Sequence, residues 1–274
     1  MSILEDIQSK FPSFSEKEKR LATYLLQNSG TVSNINISTL AHETGTSPAT
    51  ITRFAKKLKQ NSFVDLKIQL GALQSKHQRA DEGLKTEVYD YYSRVIENTE
   101  KLTDPADMKQ IVNLITAAPR IFIFGVGSSG LTALELTQRL LRMGLNVIST
   151  TDSHMMLITS SMAKAGDLVI GISTSGETQE VNDSLWYAKQ NAATIISITC
   201  FPESTLANLS EVALIAYSSL FIGNKRFVNS QFAIMYQIDV LSTMLLENAE
   251  LNDKMSRTIK IITKNEDMKE SEKS

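Results

Sequence analysis

The stretch from Leu168 to Thr178 constrains this chain more than any other. Leu168-Val169-Ile170-Gly171-Ile172 is a continuous apolar run, the pattern of a parallel strand buried on both faces. Ser173-Thr174-Ser175-Gly176-Glu177-Thr178 follows, and Gln179–Gln190 then reads as an amphipathic helix. Hydroxyl residues and a glycine therefore sit where a strand hands over to a helix N-terminus. The first N–H groups of a helix have no partner within it, and the helix dipole adds partial positive charge. Such a turn either caps its own helix or binds an anion, phosphate above all.

A second unit precedes it. Arg120-Ile121-Phe122-Ile123-Phe124 is an apolar strand, Gly125-Val126-Gly127-Ser128-Ser129-Gly130 a loop, and Leu131–Met143 a helix. Its glycines permit a tight turn and close backbone approach to a ligand. In doubly wound sheets ligands lie beyond the carboxyl ends of the strands, so the two loops can face one pocket. The glycine spacing also fits a dinucleotide loop, with Asp152 as the ribose-binding acid. A second hydroxyl-rich loop argues against that reading, because a dinucleotide fold does not require one.

Taken in order, Gly125–Gly130, Thr151-Asp152-Ser153-His154, Gly166–Ile170 and Ile172–Thr178 resemble the sugar isomerase (SIS) domain, a sugar-phosphate-binding α/β module. The resemblance covers residues 120–200. It implies that Ser173, Ser175 and Thr178 hold a phosphate with their hydroxyls and Thr174 with its backbone, while Ser128 and Ser129 face the sugar.

The N-terminal third has a different pattern. Ser15-Glu16-Lys17-Glu18 has the form of a capping box, followed by an apolar face at Leu21, Tyr24, Leu25 and Leu26. A short helix over Ser38–Thr44 with Leu40 and Ala41 inward, a turn at Gly45 and a restart at Ser47-Pro48 come next. The helix Ala49–Lys59 puts Ile51, Phe54, Ala55 and Leu58 on one face and Thr50, Arg53, Lys56 and Lys57 on the other. Another helix is predicted over Phe63–Ser75. The pattern fits a helix-turn-helix, or a small bundle with a solvated basic face. Residues 1–77 hold ten Lys/Arg against six Asp/Glu, and the rest holds eighteen against twenty-four, which favours a polyanion partner for one domain only.

The run Ile37–Leu58 resembles the DNA-binding domain of RpiR-type bacterial regulators, in which a SIS domain follows. The resemblance spans roughly residues 1–250 and implies a double-stranded DNA operator and a phosphorylated monosaccharide effector. Ala49, Thr50 and Arg53 lie on the outward, N-terminal side of the helix, the part that enters the major groove; Lys56, Lys57 and Lys59 are placed for phosphates. The family usually has glycine where this chain has Lys59 and Ser62, which leaves the local turn open.

The expected architecture is an all-α helix-turn-helix bundle (1–77), a linking helix (78–106), a doubly wound parallel α/β SIS domain (107–250) and a charged tail (251–274) whose end frays. Leu84, Val88, Tyr91, Tyr92 and Val95 form a stripe that packs on one domain or a second protomer. Leu84–Val95 and Ser230–Leu246 offer apolar surface for a homodimer or homotetramer. The single Cys200, no ~18-residue apolar stretch and no leader-like N-terminus point to the cytoplasm. His42, His77 and His154 lack metal-ligand spacing. No cofactor, metal or catalytic residue is assigned, although His154 or Glu177 could serve chemically as a base. The leading reading is a sugar-phosphate-sensing transcription regulator. Its alternative is a sugar-phosphate isomerase with a helical appendage.

Overall fold

A computed structural model describes residues 3–28, 32, 35–72, 83–219 and 229–271. The N-terminal region is helical: α1 (Ile3–Lys10), α2 (Glu16–Gln27), α3 (Ile37–Thr44), α4 (Pro48–Lys57) and α5 (Phe63–Ala72). The capping box forms as the sequence predicts, with the Glu18 N–H on Ser15 Oγ and the Ser15 N–H on the Glu18 carboxylate. Asn36 and Ser47 cap α3 and α4. Leu21, Leu25, Leu40, Ile51, Phe54, Leu58, Leu66 and Leu70 are fully buried and make this region's core. Each such side chain contributes roughly 1.5–3 kcal/mol of burial.

Both turns that follow α3 and α4 use a left-handed residue. Gly45 ends α3 at φ 60°, and the N–H groups of Gly45 and Thr46 return to the carbonyls of His42 and Ala41. Lys59 follows α4 at φ 59°, with the N–H groups of Lys59 and Gln60 on Lys56 and Ala55. This is the Schellman closure that normally takes glycine. The turn is therefore retained although a lysine occupies the glycine position.

Helix α6 (Leu84–Leu102) crosses to the second domain. Its stripe divides. Tyr91 and Val95 are buried, whereas Leu84 and Val88 stay exposed. Tyr92 lies 4.0 Å from Phe232 between ring centroids, and Thr99 Oγ1 accepts from the Tyr217 N–H. The helix thus packs on the α/β domain of its own chain.

That domain runs α7 (Pro105–Ala117), β1 (Ile121–Phe124), α8 (Ser128–Arg142), β2 (Val147–Thr150), α9 (Ser153–Ser161), β3 (Leu168–Ile172), α10 (Gln179–Gln190), β4 (Thr194–Thr199), α11 (Thr205–Leu209), β5 (Val212–Ile215), α12 (Phe232–Leu245) and α13 (Ala249–Ser271). The five strands are parallel in the order β2-β1-β3-β4-β5. Alternate residues of β1 serve opposite layers. Ile121 and Ile123 join Ile111, Leu136 and Ile238, while Phe122 and Phe124 join Met156, Val181 and Leu185. Buried Asp167 receives Nε of Arg120 at 2.9 Å and a second guanidinium N–H, tying the starts of β1 and β3 together.

Helix α12 is a core element, with Ala233, Ile234, Ile238, Leu241 and Leu245 buried and Met235, Val240 and Met244 half-buried. The charged tail is helical through Ser271, and residues 272–274 lie outside the described residues. Lys254 and Arg257 pair with Glu250 and Asp253 one turn back, and Leu251 is buried. Among the described residues no helix is long and apolar enough to cross a membrane.

Candidate functional site

Strand order reverses between β1 and β3, and the loops leaving these two strands flank the crevice that opens there. These are the two loops singled out in the sequence. After β3, the Ser173 hydroxyl lies 2.8 Å from Thr178 Oγ1 and 3.4 Å from Ser175 Oγ. The Gly176 N–H donates to Ser173 Oγ at 3.1 Å and the Glu177 N–H to Ser175 Oγ at 3.2 Å. Three hydroxyls and two backbone N–H groups are thus joined by hydrogen bonds within one loop. Gly176 makes it possible. Its φ is +67°, and a Cβ there would lie 2.1 Å from Ser204 Oγ.

Thr178 occupies the N-cap position of α10 but gives it no side-chain cap. The first-turn donors of that helix remain available to a ligand. The same holds at Gly127, ahead of α8. At the start of α12 Asn229 takes the first donors, the Gln231 N–H on its side-chain oxygen at 2.9 Å and the Phe232 N–H on its carbonyl at 3.3 Å. By contrast, Asp104, Asp152 and Ser204 cap α7, α9 and α11.

Gln231, ahead of α12, joins the two loops. Its Nε2 donates to Thr174 Oγ1 at 2.9 Å, and its Oε1 accepts from Thr132 Oγ1 at 3.2 Å and, at the long limit of 3.5 Å, from Ser129 Oγ. Ser128 and Ser129 lie in the first turn of α8, which starts three residues before the predicted Leu131. Ser128 is exposed and Ser129 buried. Cβ atoms at Gly125 and Gly130 would stand 2.6 Å and 2.9 Å from backbone oxygens of Ser129 and Gly125, so this close approach requires both glycines.

In the helical region, Ala49, Arg53, Lys56, Lys57 and Lys59 are exposed and Thr50 half-buried, while Ile51, Phe54, Ala55 and Leu58 face inward. Lys57 differs from the other cations. Its Nζ lies 3.2 Å from Glu18 Oε2 and 5.0 Å above the Phe14 ring, which commits it partly to bracing α4 against α2. Burial opposes ionisation of Glu18, but hydrogen bonds from Ser15 and Lys57 hold its carboxyl below the usual range.

Comparison with known proteins decides the family. Residues 1–77 match the helix-turn-helix domain of the rpiR family, and residues 114–244 match the SIS domain. An uncharacterized HTH-type transcriptional regulator of Clostridium perfringens is 31% identical over 90% of this chain and 93% of its own length. The chain belongs to the rpiR family of HTH-type transcriptional regulators. HexR of Pseudomonas aeruginosa is another relative, 29% identical over 78% of each chain. Among solved structures, the Vibrio vulnificus NanR protein complexed with ManNAc-6P aligns with a TM-score of 0.61 and 28% identity, over 96% of this chain and 98% of that one. The sugar isomerase domain of an RpiR transcription factor from Sphaerobacter thermophilus shares the fold, at a TM-score of 0.59 and 18% identity over 66% of this chain and 98% of its own.

The remaining polar residues of the regulator's crevice have structural duties. Asp152, the acid of the dinucleotide reading, accepts the Met155 N–H at 2.9 Å and caps α9. Glu177 caps α11, the next helix. Its two oxygens accept from the Thr205 N–H at 2.9 Å and the Thr205 hydroxyl at 2.7 Å. His154 is exposed on α9. Among the described residues no group of three His, Cys, Asp or Glu could hold a metal ion. Cys200 is buried, which pushes its thiol up to about 12 and leaves it unreactive. Trp186 and Tyr89 are about half and two-thirds exposed. Gln231, which bridges the two loops, carries no local signal in the sequence.

Proposed function

We propose that this regulator binds a double-stranded DNA operator through α4 and senses a phosphorylated monosaccharide at the β1/β3 crevice. The observation that carries the reading is the convergence of two helix starts without side-chain caps, those of α8 and α10, on one hydroxyl-lined crevice bridged by Gln231. With no Lys or Arg in Gly125–Gly130 or Ser173–Thr178, neutral donors and helix dipoles supply the stabilisation of the anion. Ser173, Thr174, Ser175 and Thr178 take the phosphate. Ser128 and Ser129, with Gln231, address the sugar. ManNAc-6P, the ligand in the NanR structure, is the first candidate to test. On the DNA side, Ala49, Thr50 and Arg53 meet base edges, and Lys56, Lys59 and, more weakly, Lys57 meet phosphates.

The protein acts in this reading as a cytoplasmic binding switch rather than an isomerase. Engagement of both Glu177 oxygens by Thr205 argues against that residue as a base. A homo-oligomer matches a two-half-site operator. Its contact surface is the apolar flank of edge strand β2, where Leu131, Leu141, Ile148, Ile158 and Met162 are exposed. A thermal-shift screen of sugar phosphates against their parent sugars tests the effector, because a ligand of the native state raises stability. Stabilisation by both classes alike would refute a phosphate site. Turnover of an aldose or ketose phosphate would restore the isomerase reading.

A further inference from the structure

Helix α1 belongs to the DNA-binding region but docks on the α/β sheet. Gln8 is 1% exposed, and its Nε2 donates to Cys200 O at 2.7 Å and to Ala216 O at 2.8 Å, just beyond β4 and β5. Phe11 stacks on Phe201 at 5.5 Å. The other side of this strand end holds the anion loop. The Cys200 N–H donates to Thr174 O at 3.1 Å and the Ser173 N–H to Ile198 O at 3.2 Å. Cys200 thus gives its N–H to the loop and its carbonyl to α1. From Phe201 an aromatic row continues through Phe11 and Phe14 to Phe54 of the recognition helix α4, the Phe14–Phe54 pair lying 5.1 Å apart.

The docking contact is not fully satisfied. Gln8 Oε1 is buried with no partner among the described residues. Two hydrogen bonds favour the docked arrangement, and the desolvation of an unpaired acceptor opposes it. A contact with such opposing terms can be shifted by modest differential binding elsewhere.

We propose that Gln8 couples the anion loop to the recognition helix. An anion on Ser173–Thr178 fixes the Thr174 carbonyl and, through Cys200, the acceptors of Gln8. Ordering those acceptors lowers the entropic cost of docking and holds α1 on the sheet. This inference rests on the phosphate reading of the loop given above.

Amide hydrogen exchange on the full chain tests it, with inorganic phosphate as probe against chloride at equal ionic strength. Phosphate is expected to slow exchange in residues 173–178 and also in α1, the latter by about fivefold or more. In Gln8→Ala and in Gln8→Met, which keeps the side-chain length, the loop still responds and α1 no longer does. Coupling is reciprocal, so without phosphate both variants should exchange faster at the Cys200 and Gly176 amides. A loop that responds in the wild type while α1 stays unchanged overturns the coupling and leaves the phosphate site standing. A loop indifferent to phosphate overturns the site itself. The phosphate-free comparison then decides the coupling, which fails if the Cys200 and Gly176 amides are unaltered in both variants.

Discussion

Lys59→Gly should make the DNA-binding region more stable while weakening its grip on DNA. Lys59 sits at φ 59° in the Schellman turn that closes α4, making the N–H bond to Lys56 and placing Gln60 to bond Ala55. A left-handed conformation costs a residue with a Cβ roughly 1–2 kcal/mol. Glycine removes that strain but gains about 0.5–1 kcal/mol of freedom in the unfolded chain. The net gain is about 0.5–1 kcal/mol. For a region of this size that is a rise of roughly 2–8 °C in the midpoint of its unfolding. Lys59→Ala is the control, since it removes the charge and keeps the strain. Calorimetry should rank Gly above Lys and Ala, with Lys and Ala alike. In operator gel shifts the two variants should lose affinity together, with a salt dependence shallower by about one phosphate contact. If Lys59→Gly is no more stable than Lys59→Ala, the strain argument is wrong.

Gly176→Ala would put a Cβ 2.1 Å from Ser204 Oγ at a φ of +67°; it should cost about 3 kcal/mol and abolish effector binding in calorimetry. Asp167→Ala leaves Arg120, about a third exposed, without its carboxylate and the Lys164 N–H without its acceptor, and should lower stability in denaturant titration. Hydrogen bonding from Arg120 holds the Asp167 carboxyl below its usual value. The wild type's advantage should therefore persist above about pH 4 and close as pH falls through the lowered folded value. Gln231→Leu removes the amide that joins the Thr174 and Ser129 ends of the crevice, and isothermal titration should show weaker phosphosugar binding with intact operator affinity. Arg53→Ala should weaken operator binding by about 1–3 kcal/mol and relax one base position, whereas a variant with full affinity and sequence preference would remove Arg53 from the reading face.

The parts legible in the sequence are those where local chemistry decides structure. The apolar runs of β1 and β3, the Ser15–Glu18 box and the Ser47-Pro48 helix start all form as their residues dictate. Helix α8 was misplaced by three residues because Ser128-Ser129-Gly130 has loop composition, yet no capping side chain keeps it out of the helix. Lys59 hid its turn, since only the hydrogen bonds reveal a left-handed lysine. Gln231 opens an apolar helix and meets Thr174 and Ser129 only through the fold, across 57 and 102 residues. The capping role of Glu177 is not legible locally, because its partner, Thr205, is 28 residues away and brought near by β4.

Isothermal titration of a phosphorylated monosaccharide into the wild type, Ser175→Ala and Thr178→Ala tests the central claim most directly. The unphosphorylated sugar runs in parallel. The loop geometry predicts binding of the phosphate ester only. Each variant should lose about 1.5–3 kcal/mol, roughly ten- to hundredfold in Kd, because a charged acceptor is left one donor short. Equal affinity in the wild type and both variants, or equal binding of the parent sugar, would contradict a phosphate seated on the hydroxyls ahead of α10.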